Sequence, residues 1–156
     1  MPTVTVGAML ELTEAALLEL RARYDAVRDA SFDLPRRMLA DLLGQREVST
    51  IAALDRYRLR DEHHAVLDVY VRLGGFPFDN VPELPEAPRL AELVATAEDT
   101  DRALAQLGER VELYAVGAEI HAAFDALNTL VRGRRQQLAA ALRELDEAVP
   151  RALSRG

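Results

Sequence analysis

The spacing of apolar residues predicts amphipathic helices along most of this chain. In residues 8–30 the apolar positions recur at intervals of three, four and seven, at Leu10, Leu17, Leu20, Tyr24 and Val27. The stretch 31–35 interrupts this stripe, and it offers Asp33 as an N-cap and Pro35 as an early residue of the next helix. We therefore predict a first helix over 8–30 and a second one that follows Asp33.

The second predicted helix runs toward Leu73 and ends at Gly74 and Gly75. Its apolar residues fall on two different faces, which comprise Leu39, Leu43, Ile51 and Leu54, and then Leu59, Val66, Tyr70 and Leu73. A straight helix would keep its apolar residues on one face. We therefore predict a kink between Asp55 and Arg60.

Four prolines, at positions 77, 82, 85 and 88, preclude a helix over residues 74–88. They divide the chain into a helical hairpin over 8–73, a crossover over 74–88 and a second hairpin over 89–149. We expect the crossover to run extended along the outside of the helices. Phe76 and Phe78 should then insert between the helices and anchor it.

The second hairpin carries three successive apolar stripes. They are Leu90, Leu93, Ala97, Leu104, Leu107 and Val111, then Leu113, Val116, Ile120, Phe124, Leu127 and Val131, and finally Leu138, Ala141, Leu142 and Leu145. The change of face near Gly108 fits a tight turn between two helices, and it fits equally a continuous helix that is buried on two sides. Gly133 is a second candidate for a break.

Two helical hairpins joined by a long connection predict an all-α fold, a four-helix bundle with one crossover, in a single domain over residues 1–156. Apolar residues make up 49% of the sequence, which is sufficient for a core. Many of these residues are Ala and Leu, which are strong helix formers.

Composition excludes several classes of function. The chain has no cysteine, so it holds no disulfide, thiolate metal site or cysteine nucleophile. We find neither a signal-peptide pattern nor an apolar run long enough to span a membrane, and we expect a cytoplasmic protein that does not bind membranes. A net charge of −7 argues against nucleic-acid binding. The basic group Arg132, Arg134 and Arg135 should be a solvated helix face.

The order of hairpin, crossover and hairpin resembles the ferritin-like superfamily, and so does the stretch Val69–Pro77, VYVRLGGFP. In several bacterial families of that superfamily, a Leu-Gly-Gly-x-Pro element precedes the crossover. Its metal-bearing members carry a Glu in each of two helices and Glu-x-x-His in each of the other two. This sequence has no Glu-x-x-His, and the nearest analogue is Asp61-x-x-His64. The resemblance therefore implies a di-iron site that has been lost or rebuilt.

Six residues are candidate ligands for iron or manganese because they lie on or beside apolar stripes: Glu47, Glu62, His63, Glu112, Glu119 and His121. Glu47 stands in the middle of its stripe, so a buried carboxylate there needs a partner. That partner is either a metal ion or an arginine of a neighbouring helix. No catalytic or cofactor-binding residue is indicated, since the common nucleotide-binding and nucleophile motifs are absent.

The sequence is compatible with two functions. The first is a non-catalytic interaction or scaffold protein that forms a homo-oligomer, most simply a dimer. It is suggested by apolar residues on two sides of 111–131 and of the second helix. The second is a metal-binding ferritin-like protein with a non-standard site of carboxylates and imidazoles.

Overall fold

A computed structural model describes residues 3–72, 75–112 and 118–148, and these are mostly helical. In chain order they form β1 (Thr3–Thr5), α1 (Val6–Ala30), α2 (Leu34–Leu59), a 3-10 turn (Asp61–His63), α3 (His64–Leu67), β2 (Tyr70–Arg72), α4 (Leu90–Glu112) and α5 (Ala118–Ala148). The all-α prediction is confirmed, with a two-stranded sheet as a small addition. Over the described ranges, no helix combines the length and the apolarity that crossing a membrane requires.

Helix α1 buries the stripe that the sequence predicted, with all five of its residues in the core. The side chain of Thr5 caps its start by accepting a hydrogen bond of 3.0 Å from the backbone N–H of Ala8. Asp33 occupies the predicted N-cap position of α2, and Pro35 lies in the first turn. The Asp33 side chain makes no capping bond, and its Oδ2 lies 3.5 Å from Nε of Arg36 instead.

Helix α2 ends at Leu59, so the prediction that it continues to Leu73 is wrong. Arg60 has an extended backbone conformation, and the chain then makes a 3-10 turn and the short helix α3. The irregularity predicted near residues 55–60 is therefore the end of a helix and not a kink. Leu59 is 76% exposed and Tyr70 is 71% exposed, so these two residues do not form the predicted buried face.

The segment after α3 pairs as a strand. β2 lies antiparallel to β1, with Val71 opposite Val4. The alternation of exposed Tyr70, buried Val71 and exposed Arg72 has the period of two that is typical of a half-buried strand. Aromatic and β-branched residues favour this conformation. Leu73 and Gly74, the predicted end of the helix, lie outside the described residues.

In the second half of the chain, neither Gly108 nor Gly133 interrupts a helix. α4 continues through Gly108 to Glu112, and α5 continues through Gly133. The connection between the two helices lies in residues 113–117, outside the described ranges, as do the predicted positions Leu113 and Val116. The described part of the predicted stripes is largely buried, at Leu90, Leu93, Ala97, Leu104, Leu107, Ile120, Phe124, Leu127, Val131, Leu138, Ala141 and Leu145.

The core consists of two apolar clusters, and each contains residues from α1, α2, α4 and α5. The Phe124 cluster includes Met9, Leu17, Leu54, Val71, Phe78, Leu104, Leu107, Phe124 and Leu127. The Tyr24 cluster includes Leu20, Tyr24, Leu39, Leu43, Leu90, Leu93, Ala97, Leu138 and Leu145. The beginning of α1 and the end of α2 therefore meet in the first cluster, together with the end of α4 and the beginning of α5.

The crossover lies against α1. A guanidinium nitrogen of Arg23 donates to the carbonyl oxygen of Val81 at 2.9 Å and also to that of Pro82. Phe78 is 6% exposed and lies in the Phe124 cluster, as predicted for an anchor. Phe76 is only half-buried, with its ring centroid 5.9 Å from that of Phe78.

Replacing Gly133 by alanine is expected to stabilise the protein by about 0.5–1 kcal/mol. Gly133 lies within α5, and a Cβ added there would meet no atom within 4 Å. Glycine in the middle of a helix loses more backbone entropy on folding than alanine does. Urea unfolding followed by circular dichroism measures the change. Gly44→Ala is the matched control in α2, since its Cβ would lie 3.1 Å from Oδ1 of Asp25. An equal gain at both positions would contradict this explanation.

Candidate functional site

Four charged side chains are buried between the two apolar clusters, and we call them the polar layer. They are Arg46 and Glu47 of α2, Asp101 of α4 and Arg134 of α5, and none is more than 4% exposed. Each lies between residues of the two clusters along its own helix. Asp101, for example, lies between Ala97 of the Tyr24 cluster and Leu104 of the Phe124 cluster.

Arg134 is the centre of the polar layer. Its Nη1 donates to Oε2 of Glu47 and its Nη2 donates to Oε1, both at 2.9 Å. Its Nε donates to Oδ1 of Asp101 at 2.8 Å, and Nη1 also donates to Oγ1 of Thr50 at 2.7 Å. Paired bonds between a guanidinium and a carboxylate are among the stronger hydrogen bonds in proteins. One side chain of α5 thus connects α2 to α4.

Arg46 completes the polar layer. Its Nη1 donates to Oδ2 of Asp101 at 3.0 Å and to the carbonyl oxygen of Arg134 at 3.2 Å. Its Nη2 donates to the carbonyl oxygen of Ala97 at 3.3 Å and lies 3.7 Å from Oε1 of Glu47. Two positive and two negative charges therefore balance inside the protein, which offsets part of the cost of removing them from water.

The pKa shifts follow from these contacts. Burial acts against the charge of Arg134, but the attraction of Glu47 and Asp101 outweighs it and raises the pKa of that guanidinium. Burial, together with the nearby Arg134 charge, lowers the pKa of Arg46, which has fewer carboxylate contacts. Burial and the Glu47 charge raise the pKa of the Tyr24 hydroxyl far above its ordinary value, so it stays neutral.

Both carboxylates of the polar layer are occupied by protein donors. Each oxygen of Glu47 and of Asp101 accepts a bond from a guanidinium group. Of the two partners considered for Glu47, the structure contains the arginine of a neighbouring helix. A metal ion at Glu47 would have to displace Arg134, which is 1% exposed. The arrangement suits a structural role, since it offers no free carboxylate to a substrate.

The expectation that residues 132, 134 and 135 form one solvated face is wrong for Arg134. Arg132 and Arg135 are exposed, whereas Arg134 is buried. The reason is helical periodicity, because position 134 follows Val131 by three residues and precedes Leu138 by four, on the buried face of α5.

Three of the other candidate metal ligands, Glu62, His63 and His121, do not join Glu47. The side chain of Glu62 is 68% exposed, and its Oε1 lies 3.9 Å from Nε2 of the half-buried His63. His121 is exposed on α5. The side chains of Glu112 and Glu119 lie outside the described part of the structure. Within that part, no group of three acidic or histidine side chains is placed to hold a metal ion. Metal binding by these residues therefore stays a prediction.

His63 packs against Tyr57. Its ring stacks on that of Tyr57, with centroids 3.7 Å apart and planes 17° from parallel. Its Nδ1 also lies 2.8 Å from the carbonyl oxygen of Tyr57. The 3-10 turn that follows α2 brings these two residues together, and a helix continuing to Leu73 would not do so.

Sequence reasoning missed Arg46, Asp101 and Arg134. A signal was present for two of them, because Asp101 and Arg134 interrupt apolar stripes at helical spacing, as Glu47 does. The sequence thus marked one negative charge in each of two helices and a positive charge in a third.

Compared with protein-family models, curated proteins and solved structures, the chain matches none of them.

Proposed function

We propose that this protein is a non-catalytic four-helix bundle of the ferritin-like type, whose function is interaction, and that it forms a homodimer through the outer face of α1. The bundle arrangement is supported by the two clusters, which both draw on the four long helices. A non-catalytic role is supported by the polar layer, whose carboxylates are occupied by arginines. The dimer depends mainly on one observation, the apolar surface of α1.

Helix α1 carries apolar residues on its solvent side as well as on its core side. Leu12 is 50% exposed and Leu18 is 54% exposed. The exposed residues on this side also include the charged Glu11 and Glu19 and four alanines, Ala15, Ala22, Ala26 and Ala30. Three of the alanines, all except Ala22, border grooves between α1 and the crossover. A surface helix normally presents polar residues to water. Apolar residues gathered on one exposed face are typical of an interaction site.

This surface suits a second copy of the same helix. Leu12 and Leu18 lie three residues on either side of Ala15. If a two-fold axis passes at Ala15, antiparallel α1 helices place Leu12 of one copy against Leu18 of the other. The small Ala15 side chain lets the two helices approach closely at the axis. Two-fold dimers bury the same patch on both subunits, so this axis also brings Glu11 of one copy toward Glu19 of the other. Within each copy these carboxylates are paired with Arg58 and Arg23.

We expect the parent protein to be a dimer in size-exclusion chromatography with light scattering, and Leu12→Glu and Leu18→Glu each to raise the dissociation constant by at least about tenfold. Either substitution would place an unpaired carboxylate in the interface, where it loses its hydration. Circular dichroism should show that the helices are retained, since both side chains are half-exposed.

Leu59→Glu is the matched control, because it makes the same change at a leucine that is 76% exposed but lies at the end of α2. This variant should dimerise like the parent. A parent protein that stays monomeric at high concentration would overturn the proposal. Equal weakening by all three substitutions would move the interface away from α1.

A further inference from the structure

An apolar pocket opens between α1, α2 and α5, beside the Phe124 cluster. Its volume is about 100 Å³. The buried side chains of Met9, Leu54 and Phe124 are among those that line its interior. Ala53 of α2 and Ala126 of α5 also line it, and both are partly or fully exposed. The pocket therefore reaches the surface between two facing helices, at a point where both carry alanine.

Three small side chains, those of Ala53, Ala123 and Ala126, border the open space. Protein interiors are close-packed, with few voids larger than a water molecule. An apolar void destabilises a core in proportion to its volume. A leucine at position 53 or 126 would supply the missing side-chain volume, and leucine is the commoner choice elsewhere on the buried faces of these helices. The open space thus coincides with alanines on the facing surfaces of α2 and α5.

The wall of the pocket that Tyr57 forms is supported by a contact with His63. Tyr57 lines the pocket, and its ring stacks on the ring of His63 at a centroid distance of 3.7 Å. The contact between Nδ1 of His63 and the carbonyl oxygen of Tyr57, at 2.8 Å, fixes the relative position of the two residues. A wall that is positioned before binding lowers the entropy cost of binding.

We propose that this pocket binds a small uncharged molecule with a single aromatic ring or a short alkyl chain. The residues that line it carry no charged side chain. Ligand sites are typically concave and mostly apolar, with few polar groups. An apolar core cavity of about 150 Å³ in another protein takes up benzene. A pocket of about 100 Å³ that is open on one side can hold one such ring, with any substituent directed to the mouth at Ala53 and Ala126.

The test is an NMR titration of the full chain with toluene and, separately, with indole. We expect saturable shifts confined to the signals of pocket residues, with a dissociation constant of roughly 0.1–1 mM. Ala126→Leu should weaken binding by at least about tenfold by filling the space. Ala139→Leu is the matched control, because it makes the same change at an exposed alanine of α5 that does not line the pocket.

Shifts that do not saturate with either probe would overturn the proposal, and so would unchanged binding in Ala126→Leu. If Ala126→Leu does not fold, Ala53→Leu provides the same test from the opposite helix. The inference is independent of the dimer, since Leu12 on the outer face of α1 does not line this pocket. Leu12→Glu should therefore bind toluene like the parent.

Discussion

Replacement of Arg134 by methionine is expected to destabilise the protein by about 3–5 kcal/mol. The substitution removes both bonds to Glu47 and one bond to Asp101 while leaving those carboxylates buried. An unpaired charge in the interior loses its hydration without compensation. Urea unfolding measured by circular dichroism gives the free-energy change. Arg135→Met, at the exposed neighbouring arginine, should alter the stability by less than about 0.5 kcal/mol.

A double variant separates charge pairing from packing. When Glu47→Met is combined with Arg134→Met, the buried acid and its principal base are removed together. Arg46 and Asp101 keep their own contact of 3.0 Å. We expect the double variant to be more stable than Arg134→Met alone, because replacing both members of a buried ion pair is often nearly neutral. Additive losses would show that the pair is not coupled, contrary to the geometry described above.

Phe78→Ala is expected to destabilise the protein by about 3–4 kcal/mol, the usual cost of emptying a buried phenylalanine site. Phe78 is 6% exposed in the Phe124 cluster. For the half-buried Phe76, the corresponding loss should be smaller, about 1–2 kcal/mol. Thermal and urea unfolding measure both changes. Phe32→Ala is the matched control, because that ring is fully exposed.

The same variants test how the crossover is held. Limited proteolysis should cut the crossover, residues 74–88, faster in Phe78→Ala than in the parent, because the anchor opposes local opening. Arg23, which bonds the carbonyl oxygens of Val81 and Pro82, should slow but not abolish that cleavage. Parent-like stability in Phe78→Ala would mean that the crossover is a tether and not a packed element.

The buried faces of α1, α4 and α5 could be predicted because a helix that is buried on one side carries apolar residues at intervals of three and four along its own sequence. The end of α2 could not be predicted in this way. Residues 70–72 form a strand only because Thr3–Thr5 supplies a partner from the far end of the hairpin. Val69, Tyr70 and Val71 are residue types typical of strands, but Tyr70 and Leu73 also continue the helical spacing of Val66, so the local pattern alone does not decide between the two.

The candidate site, like the fold, could be predicted from the sequence only in part. The position of Glu47 on an apolar stripe predicted a buried acid with a partner. The identity of that partner depends on how α5 aligns with α2, which local periodicity does not report. Arg132, Arg134 and Arg135 have the same chemistry, and the helical period that groups position 134 with Val131 and Leu138 distinguishes the middle one.

The polar layer also has a consequence for folding fidelity. Apolar clusters are tolerant of sliding, because a helix displaced by seven residues, about 10.5 Å, still offers leucines and alanines to its neighbours. Such a displacement of α5 would bring Leu127 or Ala141 to the place of Arg134. Glu47 would then lose the hydrogen bonds from Arg134 and keep only the Arg46 charge, 3.7 Å away, so the misaligned form would be penalised by several kcal/mol. We therefore expect the four charges to discriminate between otherwise similar helix alignments, so that the chain reaches one of them.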